Sequence, residues 1–128
     1  MKKIKFNGKV FSGNGGGKKF LDLQWVKRQI NALLGFTPYA GTLNIRLSDE
    51  NIAHRKLLEK AASITVHPAE GYCSGKLFKA SISLLECAIV IPEVAGYPRN
   101  VLEIIAPVNL REKLQLVDGD EVIVTVNL

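Results

Sequence analysis

Closely spaced short β-type segments constrain this chain more than any other feature. Residues 4–12, 41–48, 63–67, 76–84, 88–91, 101–106 and 121–127 are each rich in β-formers or alternate between apolar and polar side chains. Leu77, Lys79, Ser81 and Ser83 carry the mixed pattern of a strand with one wet face. Turn signals fall between the segments, at 68–75, at 92–98 and at Asp118-Gly119-Asp120. Many modest strands with few helices among them suit a mainly β fold, a small closed or nearly closed barrel.

One helix is clear. Val26, Ile30, Leu33 and Leu34 recur at i, i+4, i+7 and i+8, Asp22 is placed to cap the start, and Gly35 to end it. A second, short helix is expected after Pro107, because Asn109 and Glu112 have the spacing of a capping box. Residues 52–61 form a weaker third candidate.

At 128 residues the chain is expected to form one domain, residues 1–128, with a buried core. No apolar run reaches the roughly 18–20 residues of a membrane helix, and Asn7, Gly8 and Lys9 interrupt the start before a signal-peptide core can form. A cytoplasmic protein is expected. Cys73 and Cys87 lack metal-type spacing and are too few for a disulfide framework, so buried, inert thiols are expected. His54 and His67 have no cysteine cluster near them in sequence, which argues against zinc. A formal net charge of +5 favours an anionic partner, a nucleotide or a nucleic acid.

Four of the eleven glycines lie within residues 13–17, between a β segment and Lys18-Lys19. Such a loop can turn its N–H groups inward as an anion nest, with two ammonium groups at its exit; it can equally be a flexible hairpin tip. The common phosphate signatures do not fit. Ser12 replaces the first glycine of a P-loop and Lys19 its hydroxyl residue, while Lys18 replaces the last glycine of a dinucleotide fingerprint.

In the segment 41–47 the residues Leu43, Ile45 and Leu47 alternate with Thr42, Asn44 and Arg46. Thr42 and Asn44 therefore share a face, roughly 7 Å apart along a strand. Two neutral oxygens suit a magnesium ion that arrives with substrate phosphates, or they are simply a polar strand face. Glu103 is a lone acid in an apolar segment. It can accept hydrogen bonds from a substrate, act as general base towards a hydroxyl, or point outward from a sheet edge. The run from Pro107 to Glu112 opens the short helix, where Arg111 can fork onto phosphate or serve solubility. Asp118-Gly119-Asp120 reads as a tight turn.

These pieces together resemble a known family. The sequences Leu34-Gly35-Phe36-Thr37-Pro38-Tyr39-Ala40-Gly41-Thr42-Leu43-Asn44, Leu102-Glu103-Ile104-Ile105-Ala106-Pro107, Leu110-Arg111-Glu112 and Leu116-Val117-Asp118-Gly119-Asp120 closely resemble the archaeal CTP-dependent riboflavin kinases, over nearly the whole chain. The resemblance implies a six-stranded cradle-loop barrel, related to swapped-hairpin barrels, with one or two short helices. It implies transfer of the γ-phosphoryl group of CTP to the terminal ribityl hydroxyl of riboflavin, giving FMN and CDP. Gly13, Asn14, Gly15, Gly16, Gly17 and Lys18 would hold the nucleotide, as would Val108, Asn109, Leu110 and Arg111. Thr42 and Asn44 would coordinate one magnesium ion, and Glu103 would meet the flavin. Some members carry an additional N-terminal DNA-binding domain, which is not expected here.

One departure stands out. The family usually has a flavin-contacting threonine where this chain has Ala95. Loss of such a hydrogen bond costs about 0.5–1.5 kcal/mol, and the Gly96 backbone or the Tyr97 hydroxyl can substitute. A monomer without membrane or nucleic-acid partners is expected. The rival readings are a nucleic-acid-binding swapped-hairpin barrel, with Lys27, Arg28, Arg55 and Lys56 as its contacts, and a family member that binds flavin or nucleotide without catalysis.

Overall fold

The computed structural model describes residues 3–13, 16–59, 63–66 and 74–127. Along the chain these form β1 (Lys3–Phe11), α1 (Gly16–Leu21), α2 (Gln24–Leu34), β2 (Leu43–Leu47), α3 (Asp49–Glu59) and β3 (Ile64–Val66). There follow β4 (Gly75–Ile82), β5 (Leu85–Pro92), β6 (Val101–Ile105), α4 (Leu110–Lys113) and β7 (Glu121–Asn127). His67, Cys73, Asn14 and Gly15 lie outside the described residues.

Six of the seven strands close into an antiparallel barrel in the order β4-β5-β6-β2-β1-β7. The seam is β7 on β4, where Ala80 meets Val126 and Ser81 meets Thr125. The other half of that β4 edge takes β3, with Ile64 opposite Leu77. The expected barrel is therefore present, with β3 as an added strand. Period-two alternation explains the lumen: Ile4, Phe6 and Val10 of β1 and Leu43, Ile45 and Leu47 of β2 all point into one apolar core.

A second core lies outside the barrel wall. Leu21 of α1 and Val26, Ile30 and Leu34 of α2 pack on Leu77, Ala88 and Ile105 from β4, β5 and β6. Leu77 and Phe78 are neighbours in sequence and both are buried, one in each core. Such strands, covered on both faces, lose clean alternation. Phe36 belongs to this outer core.

Gly35 ends α2 as expected, in the left-handed region at φ 80°, where glycine carries no Cβ penalty. Asp22 does not cap it. Leu23 takes the N-cap position without a side-chain bond, and the Asp22 carboxylate instead accepts from Lys27 Nζ at 3.2 Å. The third helix is real and starts at Asp49, earlier than expected. Its periodicity is weak because polar residues anchor it: Asn51 Oδ1 accepts from the Asn7 N–H at 3.1 Å, and Asn51 Nδ2 donates to Ser48 Oγ. Ser83 and Leu84 leave the strand expected through 84. Both have positive φ and form the tip of a two-residue hairpin, with Ile82 opposite Leu85.

Cys87 is buried and free, as expected for an inert thiol, and burial, reinforced by Glu86, pushes that thiol up to about 12. Among the described residues no helix is long and apolar enough to cross a membrane.

Candidate active site

The alternation that sends Leu43, Ile45 and Leu47 inward sends Asn44 and Arg46 to the outer face of the barrel. Strand register brings Glu103 of β6 directly opposite Asn44, and Phe11 of β1 flanks Asn44 from the other side. These outward residues floor a cleft of about 570 Å³, with Ser12, Gly13 and Lys18 on one rim, Tyr97 and Pro98 on another, and Arg111 at its edge. Lys18, Arg46 and Arg111 contribute three cations to this lining against the single carboxylate of Glu103. The cleft is thus electropositive and suited to an anion.

Each floor residue is held. Thr42 Oγ1 donates to Asn44 Oδ1 at 3.0 Å. Adjacent ligands of an octahedral magnesium, with bonds of 2.0–2.1 Å, are also separated by about 3 Å, so the spacing of the two oxygens matches such a ligand pair once the Thr42 hydroxyl turns its proton away. Gly13 closes on Asn44 from above: a Cβ there would stand 2.4 Å from Asn44 Nδ2. Arg46 stacks its guanidinium over the Phe11 ring, 4.4 Å from the centroid. Glu103 Oε2 accepts a hydrogen bond from the Tyr97 hydroxyl at 2.5 Å.

The glycine segment differs from an open loop. Gly13 precedes a helix, and Gly16, Gly17 and Lys18 belong to α1. A flexible tip is therefore not what residues 16–21 form. Lys18, in that helix, still reaches the cleft lining.

Residues 108–111 border a smaller cavity of about 140 Å³ beside the cleft, shared with Tyr39, Gly41 and Thr42. Asn109 caps α4 as expected, accepting from the Glu112 N–H at 3.2 Å, and its amide donates to the Tyr39 hydroxyl at 3.3 Å. Leu110 sends its side chain into the barrel core, which leaves its backbone for any ligand. Val108 is partly exposed.

Arg111 is held by a partner the turn reading did not provide for. Its Nη2 donates to Asp118 Oδ1 at 2.6 Å, and Ser12 Oγ donates to the same carboxylate at 2.9 Å. Those bonds, Arg111 first and Ser12 second, hold the Asp118 carboxyl below its ordinary value. Asp118-Gly119-Asp120 does form the expected tight turn, and it also clasps α4 to the end of β1. Sequence separation, 106 residues between Ser12 and Asp118, hid this contact. Ala95 is exposed and outside the cleft lining; Tyr97, two residues on, lines it instead. Among the described residues no group of three or more His, Cys, Asp or Glu can hold a metal ion. Thr42 and Asn44 put two neutral oxygens into the cleft lining, beside the Glu103 carboxylate.

Comparison with known proteins places the chain in a family. A family model named CTP-dep_RFKase, described as a domain of unknown function (DUF120), matches residues 10–126. A protein named riboflavin kinase from Archaeoglobus fulgidus is 42% identical over 132 residues, covering 98% of this chain and 55% of its own length. One of the same name from Saccharolobus solfataricus is 43% identical, covering 96% of this chain and 74% of its own. A third, from Sulfurisphaera tokodaii, is 42% identical and matched over 96% of its length. The chain thus spans little more than half of the Archaeoglobus protein and nearly all of the Sulfurisphaera one. With a model match over most of its length and relatives above 40% identity, the chain belongs to the CTP-dependent riboflavin kinase family.

Proposed function

We propose that this chain transfers the γ-phosphoryl group of CTP to the ribityl 5′-hydroxyl of riboflavin, giving FMN and CDP. The observation that carries the reading is the placement of Thr42, Asn44 and Glu103 on one floor: metal-compatible oxygens stand directly across the sheet from a carboxylate. Glu103 takes the proton of the ribityl hydroxyl as its oxygen attacks the γ-phosphorus. A new P–O bond forms, the bond to the β-phosphate bridging oxygen breaks, and CDP leaves with that electron pair.

The nucleotide phosphates lie under Gly13 and Lys18, with Arg111 at their edge. Gly16 and Gly17, in the same segment, and the backbone of residues 108–111 complete the nucleotide contacts. Thr42 and Asn44 would hold magnesium, which supplies charge neutralisation on the phosphate oxygens. The choice of cytosine rests on the family named by the matching model. The chain is proposed to act as a monomer in the cytoplasm, with a nucleotide and a flavin as its partners.

Incubation with riboflavin, magnesium and each of the four nucleoside triphosphates, followed by separation of flavins, tests the reading. FMN formed with CTP in clear preference to ATP supports it. Riboflavin left unchanged with all four overturns it.

A further inference from the structure

Tyr97, in the segment between β5 and β6, places its hydroxyl on Glu103 Oε2 at 2.5 Å. Its ring is covered in turn by Arg55 of α3, whose Cζ lies 5.9 Å from the ring centroid. Arg55 is only 7% exposed, and among the described residues its Nε has no hydrogen-bond partner. Burying a guanidinium in this way is costly, and its position against Tyr97 gives the residue a structural object. Burial pushes the Tyr97 phenol upward from its ordinary value, with the bond to Glu103 acting in the same direction, so the hydroxyl stays a donor at working pH.

We infer that Tyr97, braced by Arg55, is a positioning residue that sets the Glu103 carboxylate for the flavin hydroxyl. The inference rests on the kinase reading above. A glutamate side chain has several rotatable bonds, and fixing it before substrate arrives removes that ordering cost from the reaction. The phenol occupies one carboxylate oxygen and leaves the other available to accept from substrate. The arrangement brings α3, otherwise outside the cleft, into the alignment of the reacting groups. It also gives the 93–100 segment a role that does not depend on Ala95.

The test is a double-mutant cycle of Tyr97→Phe and Glu103→Gln, with steady-state kinetics for both substrates. Tyr97→Phe is expected to lower kcat/KM for riboflavin about ten-fold, the worth of one hydrogen bond to a charged group. The nucleotide KM should change by less than about two-fold, since the phosphate contacts are untouched. In the Glu103→Gln background the same change should cost nothing further, because Tyr97 acts only through Glu103. Arg55→Lys, which keeps a cation, should retain more activity than Arg55→Met. Additive losses in the cycle, or a Tyr97→Phe variant with unchanged kinetics, overturn the inference while leaving the kinase reading intact. A wild-type chain that turns over no riboflavin overturns both.

Discussion

Asn44 and Glu103 are cross-strand partners on the outer face of the barrel, one on β2 and one on β6. Side chains so placed have Cβ atoms about 5 Å apart, close enough for a metal-bound phosphate and an attacking hydroxyl to meet between them. If Glu103 is the base, Glu103→Gln should lower kcat by about 10²–10⁴-fold. Riboflavin affinity, read by quenching of flavin fluorescence, should change far less. Near-normal turnover in this variant contradicts the base role.

Gly13 makes room for Asn44. An alanine at 13 would bring its Cβ to 2.4 Å from Asn44 Nδ2, and the amide end of a flexible side chain is what must yield. The fold should therefore survive, while Asn44 turns away from Thr42. Gly13→Ala is expected to raise the magnesium concentration for half-maximal activity about ten-fold, equivalent to about 1.4 kcal/mol of lost metal binding. A melting temperature near wild type with unchanged magnesium dependence would show that Asn44 does not need this space.

The Arg111–Asp118 clasp is an exposed pair whose effect should be modest and salt-sensitive. Asp118→Asn should raise the nucleotide KM several-fold, because Arg111 loses its fixed position. The Asp118 carboxyl is held below its ordinary value of 3.8, so its contribution to stability is in place above that pH and disappears as pH falls through the lower folded value. Urea unfolding of wild type and Asp118→Asn should differ at pH 7 and converge at a pH well below 3.8. An equal gap at both pH values contradicts the clasp.

Cys87 reads out the barrel core. Its thiol rises from 9.0 to about 12 on folding, so the folded chain keeps a proton that the unfolded chain loses. The corresponding stability is full below pH 9 and falls by about 1.4 kcal/mol per pH unit between 9 and 12. Cys87→Ala should flatten that alkaline loss. Peptide mapping after iodoacetamide at pH 8 should find Cys87 unmodified in the native protein and modified in urea. Labelling of the native protein contradicts the buried placement.

Much of the fold and of the cleft floor was legible because both follow from local alternation. Leu43, Ile45 and Leu47 on one side oblige Thr42, Asn44 and Arg46 to the other, whatever the rest of the chain does. Asn109 and Glu112 likewise announce a cap through a spacing of three. What escaped depends on long-range contact. Glu103 faces Asn44 only through the β2–β6 register, and Tyr97 reaches Glu103 only through the return of its loop. Asp118 meets Ser12 because the β7 end of the barrel folds over β1. The helix at Gly16–Leu21 was hidden by glycine, a poor helix former, and is held by Leu21 in the outer core rather than by propensity.

A crystal structure with CDP and magnesium would decide whether the nucleotide and its metal occupy this cleft. The diphosphate is expected in the cleft between Gly13 and the β2–β6 floor, with the metal about 2.1 Å from Thr42 Oγ1 and Asn44 Oδ1. A nucleotide bound elsewhere on the barrel, with that floor free of phosphate and metal, would contradict it.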